Sequence, residues 1–361
     1  MISIRHFGYF NIPPHGVIDN ILGKLEFNRP AIFFIIDPLT GEELPYDEMK
    51  LLDKDNLFVI VHTGEGHSHL EFDILLNQLL NIVGVVPSHI TLYTGCLYDP
   101  QSPVNSIGTI VPHCGVTVSS ITQHFINYPT THHYVCLNRL PRWEREEIVT
   151  ALLDRKIDMY GKISFASAFT KNEYRQKFKT DKRYRDNFPL YLDGVLKNIN
   201  QSFQIEDQSI TGALFNVVTE SSYEIVDKLY MSDDSTQETI TGQSLPVFSE
   251  KLYKSFLVGQ IPILVSPYYT VNVAREFGFD MFDDIIDHGY DLEKDAIKRI
   301  QLIADQVEKI CNMSIQDLVA LKEKIMPRLI KNYNRVHHWA FNIDGDLPRW
   351  EKYFRQLGVL A

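Results

Sequence analysis

In the stretch Leu245–Ser266, LPVFSEKLYKSFLVGQIPILVS, a carboxylate and an ammonium, Glu250 and Lys251, stand side by side where a helix opens. A helix start carries the positive end of its dipole and orphan N–H groups. A lysine there favours anionic phosphate, and a neighbouring carboxylate can accept both hydroxyls of a ribose. The plainer alternative is an acidic helix start beside a surface lysine. Upstream, Arg139, Arg142 and Arg145 offer planar cations that fit phosphate oxygens. Their neighbours Glu144, Glu146 and Glu147 would equally make them a solvated, ion-paired helix face. The segment Val61–His69, VHTGEGHSH, holds Glu65 and His67. Either could take a proton from a hydroxyl near neutral pH, a buried Glu through desolvation and a His with no shift at all. Gly64 and Gly66 would let a ligand approach the backbone closely, whereas a polar turn with Ser68 as helix cap needs no ligand.

These groups need a scaffold, and the hydrophobic pattern supplies one. Ala31–Ile36, Leu57–His62, His89–Thr94, Ile107–Val111 and Ile121–Ile126 are short runs rich in Ile, Val, Phe and Tyr, as buried strands are. Leu70–Ile82 has helical spacing through Phe72, Leu75, Leu76, Leu79 and Leu80, which makes a strand, helix, strand unit with its neighbours. The pattern restarts at His132–Leu137, followed by Pro141 and the helix RWEREEIVTALLDRK, then Ala213–Val218, a helix over Lys251–Val258, the strand Ile261–Ser266 and a helix near Tyr269–Phe277. Two long helices follow: Ala296, Ile297, Ile300, Ile303, Ala304, Val307 and Ile310 repeat at three and four, as do Leu318, Leu321, Ile325 and Leu329, with Pro327 expected to kink the second.

The expectation is an α/β protein of two Rossmann-like domains facing a cleft, with C-terminal helices. An acceptor-side domain would span 1–130 and a donor domain 131–340. A last helix in 341–361 would pack back on the first domain. Of 361 residues, 35 are basic and 46 acidic, so a net charge of −11 argues against coating nucleic acid by charge alone. Cys96, Cys114, Cys136 and Cys311 lack CxxC spacing, and the longest apolar runs are far short of a bilayer span, so a reducing cytoplasm without an anchor is expected.

Four segments resemble, in order, those of α1,3-fucosyltransferase-like enzymes and related viral and bacterial glycosyltransferases. Tyr134–Arg145, YVCLNRLPRWER, is similar to their LNxxPRxxR stretch; Asn216–Ser221, NVVTES, to their strand end; SEK with its following Gly and IPI strand, to their nucleotide-sugar motif. Phe277–Asp291, FGFDMFDDIIDHGYD, is similar to a segment ending in YD, although Asp287-His288-Gly289 lacks the usual acid after the Asp. The resemblance implies the GT-B fold and a nucleotide-sugar donor as co-substrate, with neither cofactor nor essential metal. It also implies that Glu250 holds the ribose, that Lys251 and one or more of Arg139, Arg142 and Arg145 hold the diphosphate, and that Glu220 lies near the sugar. TGEGHS resembles a base-carrying stretch with His67 in place of a second acid, which leaves Glu65 and His67 as alternatives. Single-displacement, inverting transfer is the preferred expectation, a retaining enzyme the alternative within the class, and a catalytically silent nucleotide-sugar-binding or structural protein the alternative outside it.

For the acceptor, Lys171–Arg185, KNEYRQKFKTDKRYR, mixes basic residues, among them Lys177, Lys179, Lys182 and Arg183, with Tyr174, Phe178 and Tyr184. Cations for phosphate and rings for bases fit DNA carrying a hydroxylated base; a glycan or small molecule is the other acceptor class, and a solvated loop the reading without a ligand. Asp344-Gly345-Asp346 reads as a turn rather than a metal-nucleotide site, and the histidines at 62, 67, 69, 132 and 133 lack metal-ligand spacing.

Overall fold

A computed structural model describes residues 2–7, 15–36, 44–63, 74–94, 105–108, 126–138, 142–165, 211–220, 224–230, 236–243, 248, 250–341 and 347–361. The chain divides into two compact units: Met1–Val116 with Ser244–Ser249 and His337–Ala361, and Thr117–Gln243 with Glu250–Val336.

The first unit is built on a parallel sheet of β1 (Ile2–Phe7), β2 (Ala31–Ile36), β3 (Leu57–Thr63), β4 (Ile90–Thr94) and β5 (Asn105–Gly108), whose strands lie side by side in chain order. The register pairs Ile4 with Phe33 and Phe33 with Phe58, so alternate side chains share a face. On one face Phe33, Ile35, Phe58 and Ile60 meet Ile18, Ile21 and Leu22 of α1 (His15–Lys24). On the other, Phe34, Ile36, Val59 and Val61 meet Met49 of α2 (Tyr46–Leu51) and Leu79 and Val83 of a π-helical stretch, Gln78–Val83. Because α1 and α2 cover opposite faces while the strand order never reverses, the β1–β2 and β2–β3 crossovers have opposite hands. Parallel crossovers usually share one hand.

The C-terminal residues complete this unit. Trp350, Tyr353 and Phe354 of α8 (Leu347–Gln356; α3 to α7 are placed below) are buried in the α1 face, with Phe354 edge-on to Phe33 and Phe58. Asn28 Nδ2 donates to the carbonyls of Gly358 and Leu360 at 3.2 and 3.0 Å, and Tyr353 Oη donates to Ser88 O at 2.8 Å.

The second unit holds a four-stranded parallel sheet in the order β11–β8–β6–β7, from β6 (His132–Leu137), β7 (Gly161–Ser164), β8 (Ala213–Thr219) and β11 (Ile261–Val265). An antiparallel hairpin, β9 (Glu224–Tyr230) and β10 (Thr236–Gln243), follows β8. The helices are α3 (Trp143–Asp154), α4 (Glu250–Leu257), α5 (Thr270–Glu276), α6 (Ala296–Cys311) and α7 (Ile315–Phe341), with Pro327 inside the last. The chain joins this unit before residue 130. Ile126 lies under Gly259, where an added Cβ would stand 2.8 Å from Ile126 Cγ2, and Lys322 Nζ donates to Tyr128 O at 2.8 Å. Gly259 also adopts φ 72°, which suits only glycine comfortably in the turn that leads α4 into β11.

Among the described residues no helix is long and apolar enough to cross a membrane.

Candidate functional site

In the second sheet the chain runs from β6 outward to β7, then returns to place β8 on the other flank of β6. Loops leaving the carboxyl ends of β6 and β8 therefore diverge, and such a reversal is where open α/β sheets hold their ligands. Asn138 and Glu220 follow these two strands directly.

A buried polar network ties the strand ends together. Thr219 Oγ1 donates to Asn138 Oδ1 at 2.7 Å, Asn138 Nδ2 donates to Cys136 Sγ at 3.3 Å, and the Asn138 backbone N–H reaches Ser164 O at 3.0 Å. Glu220 N donates to Val265 O at 3.0 Å, which adds the end of β11. Burial pushes the Cys136 thiol up to about 12, against the opposing effects of Asn138 and Arg145, which favours the neutral thiol.

Around this frame the charged groups converge. Arg142, itself extended, N-caps α3 without a side-chain cap bond, and Arg145 sits one turn on. The alternative of a solvated face does not hold for α3. Every residue from Trp143 to Leu153 is buried, with Arg145 only 4% exposed, and α6 packs along the helix. Arg155 anchors that packing through hydrogen bonds to Asp305 Oδ1 at 2.7 Å and Gln301 Oε1 at 3.1 Å. Burial lowers the Arg145 guanidinium below its ordinary value; Glu144, at 4.0 Å, and Glu220 work against this, and Arg142 adds to it.

Glu220 is fully buried, and Lys251 Nζ, on a partly exposed side chain, lies 3.9 Å from its Oε2. Since α4 leads into β11, its N-terminus lies at the same carboxyl edge as Glu220. The start of α5 is different: Asp291 Oδ1 and Oδ2 accept the N–H groups of Val271 and Asn272 at 3.0 and 3.1 Å, so an internal carboxylate already occupies that helix end. Burial raises Asp291, and the same N–H donors pull it back.

The structure thus brings Glu220 and Lys251 together, with Arg145 within electrostatic range of Glu220 and Arg142 at the head of the same helix as Arg145. Glu250 opens α4 as expected. The remaining candidates, Glu65, His67, Arg139, Lys177, Lys179, Lys182 and Arg183, lie outside the described residues, as does Asp344-Gly345-Asp346. Among the described residues no cluster of His, Cys, Asp and Glu is placed to hold a metal; His133 Nε2 instead lies 2.7 Å from Met313 O. Sequence reasoning missed the Asn138–Thr219 link, although a polar residue closing each of two apolar strands was its visible signal.

Compared with family models, curated proteins and solved structures, the chain has no match.

Proposed function

We propose that the protein is a nucleotide-sugar-dependent glycosyltransferase whose second unit holds the donor at the carboxyl edge of its sheet. The observation that carries this reading is the convergence of Arg145 and Lys251 on Glu220 where the strand order reverses. A departing nucleoside diphosphate gains negative charge, and fixed cations in a largely buried setting stabilise that charge most as the bond breaks. Glu220 serves as resident counter-ion, which keeps a buried guanidinium and a nearby ammonium compatible with the fold in the absence of phosphate.

In this reading Glu250 holds the ribose, Lys251 and the arginines hold the diphosphate, and Glu65 or His67 removes the acceptor proton in a single inverting displacement without an essential metal. The acceptor is a hydroxyl group, and the basic, aromatic Lys171–Arg185 segment favours a hydroxylated base in DNA.

Sugar release from a panel of nucleotide sugars, measured with and without hydroxymethylated DNA or glycan acceptors, tests the reading. Lys251→Ala should cost about 2–4 kcal/mol in kcat/KM. Absence of both nucleotide binding and sugar release across the panel would overturn it.

A further inference from the structure

Three non-glycine residues among those described adopt left-handed backbone angles, Lys156, Tyr269 and Phe282. Such a conformation is uncommon for side chains with a Cβ, and it persists where the surroundings over-determine it. Two of the three have an internal reason. Lys156 ends α3, with Ile157 N donating back to Leu152 O at 3.3 Å in the usual helix-ending pattern. Phe282 is fully buried, with the Arg328 guanidinium 4.7 Å from its ring centroid.

Tyr269 is different. It has φ 69° and ψ 9°, yet its large aromatic side chain is 40% exposed. The turn is held firmly: Tyr269 N donates to Asp291 O at 2.9 Å while the Asp291 carboxylate accepts the N–H groups of Val271 and Asn272. Glycine or asparagine would satisfy that backbone at lower strain, so the ring itself needs another explanation. Its place suggests one. Tyr269 lies on the loop leaving β11, four residues beyond Val265, whose carbonyl accepts the Glu220 N–H. That loop borders the edge where Glu220 and Lys251 meet, on the side of α4 and β11. Tyr268 stands next to it, ring centroids 5.9 Å apart, with Lys294 Nζ 5.8 Å from the Tyr268 ring.

We infer that Tyr269 is the platform on which the nucleobase of the donor stacks, the base lying beyond the ribose on the β11 side of the edge. The inference rests on the nucleotide reading of the same edge. An exposed ring on a rigid, strained turn is pre-organised for a planar partner, and stacking accepts any base, so the nucleotide's phosphates and ribose bear the fixed polar contacts.

Calorimetric titration with pyrophosphate and with ADP, GDP, CDP and UDP tests this on wild type, Tyr269→Phe, Tyr269→Asn and Lys251→Ala. Tyr269→Phe should bind the preferred nucleoside diphosphate as wild type does. Tyr269→Asn, which suits the left-handed turn, should keep or raise the melting midpoint and leave pyrophosphate affinity unchanged, while weakening the nucleoside diphosphate about 10-fold or more. Lys251→Ala should weaken both ligands. Unaltered nucleoside diphosphate binding in Tyr269→Asn beside a weakened Lys251→Ala overturns the stacking platform alone. Equal loss of both ligands with a lowered midpoint in Tyr269→Asn also overturns it, because that marks a structural role. Wild type that binds neither pyrophosphate nor any nucleoside diphosphate overturns the nucleotide reading and the platform together.

Discussion

The two parallel sheets use similar strands for different ends. In the first unit, strands follow one another in chain order, and described side chains on both faces are dominated by Phe, Ile, Val and Leu. In the second, one reversal of order sets Asn138 and Glu220 side by side, and buried polar groups gather at the carboxyl edge. An apolar face tolerates many packings of similar volume, whereas a buried carboxylate beside a guanidinium tolerates few. The difference teaches that site geometry in the second unit is coupled to its stability, and that the described core of the first unit can lose stability without touching that chemistry.

The sharpest way to break this comparison is to attack each core separately. Trp350→Ala removes a fully buried indole from the first unit and should cost it about 3–5 kcal/mol. Thermal unfolding should show an early transition, with pyrophosphate binding by the second unit retained at low temperature. A single cooperative transition that shifts as a whole would mean that the two units unfold together.

Arg145→Ala should cost about 3 kcal/mol, because Glu220 and Glu144 would remain buried beside a lost cation, and it should weaken phosphate binding as well. Adding Glu220→Gln should restore part of the stability and none of the binding. Chemical denaturation of the single and double variants measures the coupling; strict additivity would show that the two groups do not act on each other.

A smaller effect is expected from Thr219→Val, which strands the Asn138 carbonyl oxygen in a buried setting and should cost about 1–2 kcal/mol. Thr219→Ser keeps the hydroxyl and should fall closer to wild type. A Thr219→Val variant as stable as wild type would show that the hydrogen bond contributes nothing net, and a loss confined to Thr219→Ser would assign the cost to methyl packing.

The smallest effect is that of pH. Burial holds both His89 in the first unit and His288 in the second below the ordinary imidazole range, against the opposing pull of the Leu57 and Lys54 carbonyls on one and of the Met281 carbonyl on the other. As pH falls below about 6.5 the unfolded chain binds protons that the folded units resist, so stability is lost. Melting at pH 7.5 and 5.5 should show a drop in both units. The drop should be greater for the second, since His288 is held on both ring nitrogens, by Tyr290 Oη and Met281 O at 2.8 and 2.7 Å.

Much of the architecture is legible in local pattern. The strands at 31–36, 57–63, 132–137, 213–219 and 261–265 and the long helices α6 and α7 follow from apolar runs and three-four spacing. Other elements carry weaker signals of the same kind. Ile2 and Ile4 alternate with Ser3 and Arg5 in β1, Ile18, Ile21, Leu22 and Leu25 form a helical stripe in and just beyond α1, and Ser232–Ser235 separates the β9 and β10 runs. At six residues, α2 is too short for a period to show.

By itself, the sequence determined the residue types able to meet a phosphate or a ribose, the strands and helices that bear them, and a net charge that disfavours unspecific binding to nucleic acid. Only the tertiary structure decided that Arg145 is buried, that α8 seats Trp350, Tyr353 and Phe354 against Phe33 and Phe58, and that Lys251 and Glu220 meet at one edge within electrostatic range of Arg145. The physical reason is range: periodicity records which face of an element avoids water, whereas neighbours distant in the chain are fixed by strand order and by how the helices cover the sheet.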